Sequence, residues 1–233
     1  THKLVEGLPK DVTVVTLADT HLGVRLLPQR VTGAFEPHGA EAHGHAHEDH
    51  DEDVGAGDET NSADGHLWLD PENARAIVAS VAKALGTRWP QHAAQFTANA
   101  AKADAGLVSL EREIAEATAP LKGKPFIVFH DAYQYFEHRF GVVAAGAVTL
   151  SPDQPPSAKR LTEVRQKLRT LQAACVFAEP QFQPKLLAAV AEGAPVRTGT
   201  LDPEGQALEP GPALYAQLMR ALARDLASCL IAS

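Results

Sequence analysis

Four times after Pro120 a short apolar run gives way to a helical pattern, and this alternation limits the fold more than any other feature of the chain. KPFIVFH is followed by DAYQYFEHRFG, VVAAGAVTL by SAKRLTEVRQKLRTLQ, ACVFAEP by PKLLAAVAEG, and PVRTGTLDP by a terminal helix from Pro212. The runs are apolar at consecutive rather than alternate residues, so both faces of each strand must be covered. Parallel strands joined through helices meet that demand, and the expected class is α/β. Such repeats bring the strand ends to one edge, where open α/β folds bind their ligands.

The first half reads differently. DVTVVTLAD (Asp11–Asp19) is β-branched and short, which predicts a buried strand. From Pro71 the pattern is helical, with Asp70 suited to the N-cap, and the helix is expected to stop around Gly86. Between Gln91 and Thr118 the residues Phe96, Ala100, Ala103, Leu107, Leu110, Ile114 and Ala117 form a one-sided stripe at steps of three and four. That predicts a rod of about 42 Å at ~1.5 Å per residue, ended by Pro120 and Gly123 and long enough to join two lobes.

One stretch resists burial altogether. Residues 31–65 hold five histidines and ten acidic residues without one Lys or Arg. This accounts for more than the whole net charge of −8 and leaves the remainder slightly basic. Imidazole is a preferred ligand for zinc and copper, and a dense acidic field concentrates divalent cations. A plain solvated spacer would need the acids but not the histidines. His43, His45, His47 and His50 are the densest group and the candidate auxiliary metal ligands. No basic patch recommends nucleic acid as a partner. No apolar run approaches the ~20 residues that span a bilayer. Thr1–Lys10 has neither the basic start nor the apolar core of a signal peptide, so a processed or truncated product is expected.

His130 closes PFIVFH and Asp202 closes VRTGTLD, which assigns both to the carboxyl edge of the sheet. His66 stands where the acidic stretch runs into HLWLDP. Two imidazoles and a carboxylate brought together would supply three zinc ligands. Taken singly, a strand-end histidine is more often a hydrogen-bonded core residue, so the inference rests on convergence. Asp131 should cap the helix after His130. Glu179, also at a strand end, suits a salt bridge or a place behind a ligand. His138, beside Glu137 and Arg139, should face solvent, while Tyr133, Tyr135 and Phe136 pack inside. His2, His21 and His92 have no supporting context. HDAYQYFEH lacks the spacing of a zinc hydrolase, and neither GxSxG nor a P-loop occurs, so no enzyme activity is expected. Cys175 and Cys229 fit either two buried thiols or one disulfide of an oxidising compartment.

The segments GHLWLDPENA, APLKGKPFIVFHDAYQYFE, FAEPQFQPKL and VRTGTLDPEG, in that order, resemble the periplasmic zinc-uptake solute-binding proteins of ABC transporters. The resemblance extends over essentially the whole chain. It implies two Rossmann-like lobes joined by a rigid helix: residues 1–89 as what remains of the first lobe with the His-rich acidic loop 36–65, residues 90–120 as the linking helix, and residues 121–233 as the second lobe. It implies His66 and His130 as metal ligands, Asp202 as a carboxylate that ligates in some members, and a Cys175–Cys229 disulfide. A further N-terminal portion with another histidine ligand belongs to the family pattern, and its absence here implies an incomplete first lobe.

The function so implied is capture of Zn²⁺ in an interlobe cleft and delivery to an ABC permease in the membrane, by a periplasmic monomer. A manganese or iron receptor of the same group, or a periplasmic zinc buffer, is the alternative. Manganese sites lean on carboxylates and water, so the imidazoles favour zinc.

Overall fold

The computed structural model describes residues 5–30, 63–149, 156–182 and 190–231. The chain divides into two compact units, residues 1–26 with 67–112, and residues 27–66 with 113–233.

In the first unit, α1 (Pro71–Arg88) starts as its sequence requires. Asp70 is the N-cap and accepts from the Glu72 N–H, with Pro71 at the first turn. Gly86 does not stop the helix, which continues to Arg88, because a tight 3-10 turn (Pro90–His92) and α2 (Ala93–Thr118) follow at once. Asn73 is buried and accepts from the Arg25 N–H while donating to the carbonyls of Arg25 and Leu67, which ties the segment before α1 to the helix. The expected strand Asp11–Asp19 is absent: the segment runs without regular structure, and Val12, Val14, Val15 and Leu17 are exposed. A strand needs a hydrogen-bonded neighbour, and β propensity alone cannot supply one.

The inward stripe of α2 follows the expected one at Phe96, Ala100, Leu107, Leu110 and Ile114 and departs from it at two alanines. Leu110, Ile114 and Thr118 are buried and Asp104 pairs with Arg75, while Ala103 and Ala117 are exposed. Alanine is too small to decide which face a helix buries. The Thr118 hydroxyl satisfies itself on the Ile114 carbonyl at 2.8 Å.

The second unit carries the sheet. β1 (Phe126–His130), β2 (Gly146–Thr149), β3 (Cys175–Ala178) and β4 (Arg197–Thr200) are all parallel, in the order β2-β1-β3-β4. Every residue of β1 and β2 is buried. Ile127 and Phe129 join Val148, Val176, and Val164 and Leu168 of α4 (Ala158–Thr170) in one cluster. Phe126 and Val128 therefore point to the opposite face, where the Phe126 and Phe177 rings meet edge-on at 5.8 Å. The last helix, α5 (Leu214–Leu230), buries Leu218, Leu222, Leu226 and Cys229 and lies against β4. Cys229 is bonded to Cys175, the first residue of β3, so the implied disulfide is present. No helix among the described residues is long and apolar enough to cross a membrane.

Two details matter for the site. The short helix α3 (Gln134–Phe140) ends at Gly141, whose φ of 69° gives the left-handed residue that closes a helix, with its N–H on the Glu137 carbonyl. And β1 lies between β2 and β3, so the chain leaves β1 toward one side of the sheet and later returns on the other. The crevice at such a reversal opens at the carboxyl ends of β1 and β3.

Candidate metal centre

His130 is the last residue of β1, and Glu179 follows the last residue of β3, so the two flank that crevice. The β1–β3 register pairs Val128 with Phe177, and the same offset sets His130 beside Glu179. The His130 Nδ1 lies 2.7 and 2.8 Å from the two Glu179 oxygens. His66 is built alike from the other direction: its Nδ1 lies 2.7 Å from Asp64 Oδ1, and its backbone N–H donates to the same oxygen at 3.0 Å. A carboxylate can only accept, so each imidazole carries a proton on Nδ1 and turns its Nε2 forward.

The two Nε2 atoms face each other at 3.3 Å, with ring centroids 5.2 Å apart. Two lone pairs at that distance repel unless a proton or a cation lies between them. For one tetrahedral zinc with Zn–N bonds of about 2.0–2.1 Å, the nitrogens should be about 3.3–3.4 Å apart. The pair already has the spacing of two corners of such a site. Phe182 stacks on Phe129 and sets its edge against the His130 ring, which restricts the imidazole from the side.

Charge around the pair is arranged by burial and by hydrogen bonds. Burial alone would raise the Asp64 carboxyl, but the ring and backbone N–H groups of His66 and the Gln134 amide hold it below its ordinary value. Asp131 does not cap α3, which starts three residues later; it accepts from Arg30 at 2.9 Å instead. Burial raises the Asp131 carboxyl in spite of that cation. Arg30 also bonds Glu137 at 2.6 Å. Glu137 is 2% exposed, and burial pushes it up to about 7 even so. Burial, together with Glu179, holds the Tyr133 phenol well above its ordinary value.

The expected residues divide as follows. His66 and His130 come together. Asp202 does not join them in a three-donor cluster; among the described residues no group of three or more His, Cys, Asp or Glu is placed to hold a metal. The Asp202 carboxylate is engaged in its own turn, accepting from the Glu204, Gly205 and Ala207 N–H groups and from the Gln181 amide. Gln181 Oε1 is buried with no hydrogen-bond partner among the described residues. His43, His45, His47 and His50 lie outside the described residues, as does most of the expected helix PKLLAAVAEG. Tyr133, Tyr135 and Phe136 are buried and His138 is exposed, as expected.

Asp64, Arg30, Gln134 and Glu137 were not singled out by the sequence. Glu137 carried a readable signal, since it falls on the stripe Tyr133, Glu137, Phe140 at helical spacing and so had to turn inward. Asp64 had a fainter one, an acid two residues before His66, the spacing at which a side chain accepts from the backbone.

A parallel α/β sheet with two carboxylate-backed imidazoles at its carboxyl edge offers two nitrogen donors of the kind that a divalent d-block cation takes. Residues 1–229 match the family described as the periplasmic component A of the zinc-uptake complex, ZnuA, and the chain belongs to that family. It is 52% identical over 167 residues to the high-affinity zinc uptake system protein ZnuA of Brucella abortus (strain 2308), covering 72% of this chain and 50% of that one. The corresponding figures for the protein of the same name from Paracoccus denitrificans are 44% over 171 residues, with 73% and 52% covered. A crystal structure of ZnuA superimposes with a TM-score of 0.64 at 28% identity, over 73% of this chain and 61% of that one. The chain spans about half the length of the curated relatives it matches.

Proposed function

We propose that this chain is the zinc-capturing part of a periplasmic receptor that delivers Zn²⁺ to the permease of an ABC importer. The observation that carries the reading is the 3.3 Å separation of the His66 and His130 Nε2 atoms, each imidazole backed by a carboxylate. Zinc is the cargo and not a resident cofactor. His66 and His130 supply two nitrogens, and Asp202, after giving up part of its turn, or water completes the shell. Two imidazole donors favour zinc over manganese. Membership of a zinc-uptake family supports the same cargo. The histidines at 43, 45, 47 and 50 are assigned an auxiliary, weaker role in gathering zinc, and the receptor acts as a monomer.

The test is a chelator-competed zinc titration of this chain with Mn²⁺ as competitor, repeated with His66→Ala and His130→Ala. One tight site that resists Mn²⁺ and is lost in both variants is the expected result. Several weak sites indifferent to both substitutions would sink the receptor reading and leave a zinc buffer. Removing residues 41–61, which spares Asp64, should leave the tight site in place; loss of most of the capacity would also favour the buffer.

A further inference from the structure

The two carboxylates behind the imidazoles are not supported equally. Glu179 extends directly from β3, whereas Asp64 lies where the chain returns from the long acidic stretch and needs something to hold it. The two legs that flank that stretch close on each other: Pro28 and Ala63 form an antiparallel bridge, and the Asp64 N–H donates to the Leu27 carbonyl at 2.8 Å. Both legs are then fastened to α3. The Tyr135 hydroxyl donates to the Asp64 carbonyl at 2.9 Å and accepts from the Leu27 N–H at 2.9 Å. The Gln134 amide spans the two legs, donating to the Pro28 carbonyl at 2.9 Å and to Asp64 Oδ2 at 3.1 Å.

Gln134 is the member of this set that reaches the Asp64 side chain. The Asp64 oxygens are thus divided, Oδ1 taking the His66 ring and backbone N–H groups and Oδ2 taking Gln134. Asp64 is 5% exposed, so water is a poor substitute for the lost donor. Without Gln134 the carboxylate could turn about its Cβ–Cγ bond, and the His66 ring would follow, because its Nδ1–H is bound to Oδ1. A ligand displaced by even a fraction of an ångström no longer meets the tetrahedral spacing that the pair shows.

We propose that Gln134 is a positioning residue for the zinc ligand His66, acting through Asp64; this rests on the receptor reading above. It predicts that the contribution of Gln134 to zinc affinity exists only while Asp64 is there to transmit it. A mere staple of the two legs would behave differently, since its effect would multiply with that of any change at Asp64 and would show as lost stability.

The experiment is a chelator-competed zinc titration of the intact chain and of His66→Ala, Gln134→Met, Asp64→Asn and the Gln134→Met, Asp64→Asn double variant. Thermal melts of the zinc-free proteins accompany it. Methionine keeps the length and most of the volume of glutamine and has no donor, so the fold is retained. Gln134→Met and Asp64→Asn should each weaken zinc roughly 10- to 100-fold, as support behind a metal-bound histidine does elsewhere. In the double variant Gln134→Met should add no more than about twofold to the effect of Asp64→Asn. The His66 tautomer, read from ¹⁵N chemical shifts, should move from Nδ1–H toward a mixture in Gln134→Met. If His66→Ala keeps the tight site, the receptor reading fails and the Gln134 proposal with it. If His66→Ala loses the site but Gln134→Met binds zinc normally, or its effect multiplies fully with Asp64→Asn, only the Gln134 proposal is overturned. An unshifted tautomer in Gln134→Met has the same consequence.

Discussion

Glu179 and Glu137 show how differently two buried carboxylates serve one small site. Glu179 keeps its partner aimed, so Glu179→Gln, which retains the shape and removes the charge, should weaken zinc binding roughly tenfold. Chelator competition measures this, and an unchanged zinc-free melting temperature separates aim from stability. Glu137 instead costs stability as pH rises. Its proton is held to about pH 7 in the folded chain and leaves near 4.5 in the unfolded one. The folded state therefore binds more protons between those values, and this group's stabilisation is complete below about 4.5 and lost as pH climbs toward 7. Compared with Glu137→Gln, the native chain should lose stability on the order of 3 kcal/mol across that window. Urea melts of both proteins at pH 5 and pH 7.5 test the sign, which a fully ionised Glu137–Arg30 pair would reverse or flatten.

At the level of elements, β4 is positioned by a residue that has no side chain. A Cβ on Gly199 would stand 2.6 Å from the buried Phe177 ring, so Gly199→Ala should cost about 1–3 kcal/mol in urea unfolding. The Cys175–Cys229 bridge spans 54 residues and ties the start of β3 to the end of α5. Replacing both cysteines with serine should cost about 4 kcal/mol by the chain-entropy account. Unfolding under reducing conditions should show a similar loss in the native chain and none in the variant. The strands around these residues were legible in the sequence because buried parallel strands are written as unbroken apolar runs, and FIVFH, GAVT and CVFA are such runs. Asp11–Asp19 looked similar, but its pairing depends on chain elsewhere that a local reading does not contain. The departures of α2 at Ala103 and Ala117 were hidden for another reason: alanines mark a stripe without fixing it, and the Arg75–Asp104 pair that joins α1 to α2 is a contact between segments. His66 and His130 were legible as donors at strand and loop ends. Gln134 was not, and Asp64 only faintly by its place two residues before His66, since their roles arise where the 27–30 and 63–66 segments close on α3.

For the molecule as a whole, zinc should act as a stabiliser of the second unit, to which both imidazoles and both backing carboxylates belong. A ligand that binds only the folded state at about a thousand times its Kd adds about 4 kcal/mol. Calorimetry with zinc should therefore raise the melting transition of the native chain and leave that of the His66→Ala, His130→Ala double variant in place. The net charge of −8 is concentrated in the stretch that follows Arg30, so added salt should change the capacity for loosely held zinc more than the tight site. The residues on either side of that stretch, Pro28 and Ala63, are bridged to each other. Two ends held side by side make the span between them a cassette. A foreign peptide or a fluorescent tag exchanged for residues 31–62 should therefore leave the path on which His66 lies unchanged, and a zinc titration of the exchanged chain measures whether it does.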